Sequence, residues 1–151
     1  MRIVIWMVAL LSISVAASAQ ETYIELLRSD IRTEKVEIVT DVMQLSDADG
    51  RVFWPIYREY ELELSKLGDM RLELMQDYLS NFDTITDDKA KDFAKRFFDH
   101  QEKRTKLRKK YYEKFEKKLS PITAAAFVQV EHQIGLLLDL QLAAETPLIE
   151  R

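Results

Sequence analysis

The chain has no cysteine, and only three glycines and three prolines among 151 residues. Without cysteine it has no disulfide, no thiolate nucleophile and no zinc site of the cysteine type. So few turn formers in a chain that is 32% charged exclude a turn-rich sheet protein and favour long helices. An excess of positive charge is missing too: 22 basic against 26 acidic residues leave a formal net charge of -4, which excludes a generally basic nucleic-acid binder. No Gly-rich phosphate loop, dinucleotide fingerprint or Ser-His-Asp order occurs. The two histidines, His100 and His132, form no H-x-x-x-H or comparable pair and read as solvated or capping residues. The expectation is a non-enzymatic protein with no catalytic residue, no cofactor and no metal site.

One long apolar run is present, at the start. Arg2 supplies a positive n-region, residues 3–15 are apolar except for Ser12 and Ser14, and Ala17-Ser18-Ala19 has the A-x-A form of a cleavage site. This reads as a signal peptide over 1–19, cut between Ala19 and Gln20. The run is shorter than the roughly 20 residues that span a bilayer, so no stable membrane anchor is expected. Removing 19 residues from 151 leaves 132, a common size for one domain, here 20–151. The location implied is outside the cytoplasm, periplasmic if the source is Gram-negative. Cleavage removes one cation and no acid, so the mature charge is near -5.

Three phrases punctuate the mature chain: Leu45-Ser46-Asp47, Ile85-Thr86-Asp87 and Leu119-Ser120-Pro121. Each sets an apolar residue before a hydroxyl residue, the pattern of a staple followed by an N-cap. Acids follow in the first two, where they oppose the helix dipole, and Pro121 falls at the first helical position. Helices are therefore predicted to start at Asp47, Asp87 and Pro121. An earlier helical segment is predicted from Thr22 to Met43, either continuous or broken near Ser29 to Glu34.

Between 47 and 80, Phe53, Tyr57, Tyr60, Leu64, Leu67, Leu74 and Tyr78 recur at alternating fours and threes, with Arg71 in the one vacant step. Pro55 lies inside this run, which predicts a kink near Gly50 to Trp54 or a helix restarting there. The short connection after Ser80 folds the next segment, 87–119, back antiparallel. Its apolar side has a polar gap from Asp99 to Lys106, so its middle is expected to be wet or partnered. The last segment, from Pro121 to about Ala144, is apolar on more than one stripe, which predicts burial between other helices or across a dimer interface. The fold class expected is all-α: a long antiparallel hairpin, about 47–80 and 87–119, packed with an N-terminal helix and an apolar C-terminal helix.

Two features are candidates for contact with a partner. Trp54, Tyr57 and Tyr60 cluster beside Pro55, although core packing is the more ordinary account of such a cluster. The basic run from Lys103 to Lys118 includes Arg104 and Arg108 and is interleaved with Tyr112. The opposing segment offers Glu59, Glu61, Glu63, Asp69, Glu73 and Asp77, so cross-hairpin and i,i+4 pairs, worth only tenths of a kcal/mol each, are the more ordinary account of the run.

The capped starts and the long hairpin resemble the Spy/CpxP type of periplasmic helical proteins, whose L-T-x-x-Q phrases also open helices, although the three phrases here lack the glutamine. Phe53-Trp54-Pro55-Ile56-Tyr57-Arg58-Glu59-Tyr60 and Leu142-Ala143-Ala144-Glu145-Thr146-Pro147-Leu148 are similar to phrases of a group of exported bacterial helical proteins without an established activity. The first resemblance implies a stress-related chaperone or sensor accessory. A protein partner or client and a possible homodimer are therefore expected. A metal-sensing accessory and a purely structural envelope component are the alternatives.

Overall fold

A computed structural model describes residues 33–149. The expected signal peptide over 1–19, its expected cleavage between Ala19 and Gln20 and the question of a break near Ser29 lie outside the described residues or at their edge. The chain divides into two compact units, Met1–Val42 and Met43–Arg151. In the first, the described residues are helical, and this helix, α1 (33–43), runs to the start of the second. The second unit holds α2 (Asp47–Asn81), a 3-10 turn (Phe82–Thr84), α3 (Asp87–Lys118) and α4 (Pro121–Glu145). The fold is all-α, with no strand among the described residues. No described helix is long and apolar enough to cross a membrane.

The three helix starts fall where the hydroxyl phrases place them. The side-chain oxygens of Ser46, Thr86 and Ser120 accept the backbone N–H of Asp49, Lys89 and Thr123 at 3.2, 3.4 and 3.1 Å. Each cap satisfies a donor that has no partner inside the helix. Lys117 and Lys118 occupy the last turn of α3, where cations oppose the negative end of the dipole. Between α1 and α2, Gln44 adopts a positive φ of 42°, the left-handed conformation that glycine usually supplies after a helix. Pro55 does not restart the helix, because α2 is continuous through it. Pro55 and Arg51, whose carbonyl loses its helical partner there, are both exposed, so water is at hand on that side.

α2 and α3 run antiparallel, with Lys114 paired to Glu59, Lys110 to Glu63 and Arg96 to Asp77 in order along the hairpin. The first two are cross-hairpin pairs of the kind expected of the basic run, and Arg96, which lies before that run, adds the third. Between them lie Phe53, Tyr57, Tyr60, Leu74 and Tyr78 of the α2 seam and Leu107, Tyr111 and Phe115 of α3, all buried. α4 returns antiparallel along α3 and adds Ala124, Phe127, Val130 and Ile134. Phe127 is fully buried, with its ring centroid 4.6 Å from Phe115 and 5.0 Å from Tyr60. Of the two sequence expectations for α4, burial between other helices is not met within one chain: it covers one stripe against the hairpin and exposes the other. The backbones of α2 and α4 stay more than 8 Å apart, so only long side chains join them.

Core and cap contribute on different scales. Truncating a fully buried phenylalanine costs about 3–5 kcal/mol, and losing a cap about 1 kcal/mol. Phe127→Ala is therefore expected to lower the urea midpoint several times further than Ser120→Ala. Equal shifts for the two variants would contradict the placement of Phe127 at the centre of the core.

Candidate functional site

α4 contains two acidic residues before its last turn, Glu131 and Asp139, and both point into the protein. Glu131 is 4% exposed. Its Oε1 accepts the Tyr57 hydroxyl at 2.8 Å and its Oε2 the Tyr60 hydroxyl at 2.9 Å. Burial, and then the Glu131 charge, pushes both hydroxyls far above the ordinary tyrosine range, so they remain protonated donors. A hydrogen bond to an ionised group contributes about 1.5–3 kcal/mol, which is enough to hold α4 at a fixed register on α2.

Two turns further on, Asp139 binds Arg71 of α2 and accepts two hydrogen bonds from Arg104 of α3, both at 3.1 Å. Arg71 is the residue that breaks the apolar seam of α2, and its partner explains the exception. Burial pushes the Asp139 carboxyl up, but the Arg71 hydrogen bond and the charges of both guanidiniums outweigh it and leave it below the usual carboxylate range. Arg104 lies across Gly135, where a Cβ would come 2.7 Å from its Nη2. His100, one turn before Arg104, is 5% exposed, not solvated, and its Nε2 lies 3.0 Å from the Leu67 carbonyl. A carbonyl only accepts, so Nε2 carries the proton. The polar middle of α3 is thus partnered by both neighbouring helices.

The residues singled out in the sequence separate into two groups. Tyr57 and Tyr60 are core residues that face Glu131, and Arg104 is held by Asp139, so these three act inside the fold and are withdrawn from a partner surface. Trp54 is half-buried, edge-on to Phe53 and Tyr57 at 5.2 and 5.7 Å. Arg108 and Tyr112 remain at the surface side of α3. With Thr105 and Lys109 they form one wall of a groove of about 570 Å³, whose other wall is Ala125, Val128, Gln129 and His132 of α4. Arg108 Nη1 lies 3.1 Å from His132 Nδ1, and Tyr112 donates to Glu116 at 2.8 Å. A second, more polar cavity of about 370 Å³ lies at the hairpin turn among Asp77, Tyr78, Lys89 and Phe93. Among the described residues, no three His, Asp or Glu side chains converge as metal ligands.

The second apolar stripe of α4, legible in the sequence, is the outer face of that helix. With Glu131 and Asp139 turned inward, this face carries Ile122, Ala125, Gln129, Gln133, Leu136, Leu137 and Leu140, all exposed and none charged. Leu136, Leu137 and Leu140 are 53, 62 and 68% exposed. The lack of charge on that face was also legible: before its last turn the helix has two acids, eight residues apart and close to one face, which leaves the opposite face with none.

Two outcomes follow. An alanine at Gly135 gains about 1 kcal/mol of helix propensity but pushes the Arg104 head off Asp139. Gly135→Ala should therefore stabilise the protein by about that amount only in an Arg104→Ala background, as a double-mutant cycle in urea would show. The second outcome concerns acid. Burial holds His100 below its ordinary 6.5, with the Leu67 hydrogen bond opposing, the Arg104 and Arg71 charges adding and Asp139 opposing. The unfolded chain then takes up a proton at higher pH than the folded one, so stability falls as pH drops below about 6.5. His100→Gln, which keeps an N–H for Leu67, should flatten the urea midpoint between pH 7 and 5, and an unchanged slope would exclude His100 as its source.

No protein-family model, curated protein or solved structure matches the chain.

Proposed function

We propose that the chain is an exported, non-enzymatic helical protein that binds other proteins through the outer face of α4 and the α3–α4 groove beside it, as a Spy/CpxP-like periplasmic chaperone or envelope-stress accessory. One observation carries this reading. In a chain that is 32% charged, the outer face of α4 between Ile122 and Leu140 presents exposed leucines and no charged side chain. Contiguous apolar faces of this kind mark protein contact sites. Arg108 and Lys109 stand on the rim, where charge sets encounter rate and orientation while apolar burial sets affinity. The Tyr57–Tyr60–Glu131 cluster supports the non-enzymatic half, since it is closed from solvent and its hydroxyls stay protonated.

The mature protein is expected to suppress the aggregation of an unfolded model substrate, followed by light scattering, at near-stoichiometric ratios. Leu137→Ser combined with Leu140→Ser, both at exposed positions, should weaken suppression severalfold without lowering the melting temperature. Absence of suppression by the parent protein, or full suppression by the double variant, would overturn the reading.

A further inference from the structure

α4 is lopsided along its length. Its first half is small and hollow on the outside: Ala125 and Gln129 are exposed, and the 570 Å³ groove opens beside them against Tyr112. Its second half protrudes, with Leu136, Leu137 and Leu140 more than half exposed. The groove centres on Val128 and Gln129, the leucines centre about nine positions later, and Gln133, also exposed, lies midway.

We infer that this face pairs with the same face of a second copy, antiparallel, about a two-fold axis at Gln133. The inference rests on the reading of the α4 face as a protein-binding surface and names the partner that occupies it when no client is present. An antiparallel two-fold turns the leucines of each copy onto the hollow half of the other, and the symmetry makes the contact twice. A parallel pair would stack leucine on leucine and leave both grooves empty.

Charge favours the same pairing. Two acidic chains meet without opposing carboxylates only on a face that presents none, and here Glu131 is buried and Asp139 is held by Arg71 and Arg104. A two-fold axis across the helices keeps both α3 helices on one side of the contact, so Arg108 and Lys109 of the two copies approach each other. The dimer should therefore tighten with added salt, which screens that repulsion. Size sets the affinity: a helix about 10 Å across, rising 1.5 Å per residue, offers roughly 350 Å² of face over 122–144. The groove walls must join the contact for the pair to pass about 1,000 Å² in total, so a micromolar equilibrium is expected, not an obligate dimer.

The absence of cysteine makes the register directly testable. Helices packed 8–10 Å apart bring facing Cα atoms to about 4–5 Å, within disulfide reach. Gln133→Cys in the mature chain should form a covalent dimer on mild oxidation. Gln129→Cys alone should not, but mixed with Leu137→Cys it should give the mixed disulfide. Sedimentation of the parent should show a monomer–dimer equilibrium, weakened at least tenfold by Leu140→Lys. A monomer throughout the micromolar range, or self-linking of Gln129→Cys as efficient as that of Gln133→Cys, would overturn the inference. Monomer with aggregation suppression intact removes the dimer and leaves the proposed function standing, whereas a dimer without suppression does the reverse.

Discussion

The separation between α2 and α4 is the constraint on which the rest of the second unit depends. Their Cα atoms stay more than 8 Å apart, and the gap is crossed by long side chains. Phe127, Tyr57, Tyr60 and Arg71 cross it, and three of these four end in polar groups. A polar group that loses water on burial must find a partner, and Glu131 and Asp139 are those partners. Tyr78 repeats the pattern at the end of α2, donating to the Pro147 carbonyl at 2.8 Å. Because Glu131 and Asp139 are committed inward, the outer face of α4 from Ile122 to Leu140 is left without charge. The interior thereby shapes the exterior.

These interactions differ in weight. The hairpin pairs at Glu59, Glu63 and Asp77 are largely exposed, and such pairs contribute about 0–1 kcal/mol in water. They set register more than stability, as the ordered sequence of partners along α2 and α3 shows. The Tyr111 hydroxyl and Lys110 both bind Glu63, which holds that carboxyl below its usual range and links the exposed row to the core. The aromatic cluster at the open end of the hairpin and the two inward acids carry more, because water does not compete there. The second unit therefore rests on α4 as much as on the hairpin.

Much of the fold was legible in the sequence because it is local. Ser46, Thr86 and Ser120 cap helices that start at the expected residues, and the seam from Phe53 to Tyr78 is the buried face of α2. Where the structure chooses between local readings, the deciding contact is distant. Of the two readings of Pro55, a kink or a restart, the restart does not occur, and Phe53, Tyr57 and Tyr60 pack on either side of it in one continuous α2. His100 reads as solvated or capping because its sequence neighbours are polar, but it is buried, and its Nε2 meets the carbonyl of Leu67, thirty-three residues away. Tyr57 and Tyr60 are core, the more ordinary of the two readings of their cluster, and the acid that their hydroxyls face comes from α4.

The sequence alone determined where the helices begin, which face of α2 is apolar, that the hairpin folds back antiparallel and that the all-α fold is held without disulfides. Each of these follows from residues within a few turns of one another. The tertiary structure alone decided that Arg71 and Arg104 share Asp139, that Glu131 serves two tyrosines and that the leucines of α4 face outward. Those outcomes depend on which long side chains meet across the space between α2 and α4, a distance that no spacing along the chain encodes.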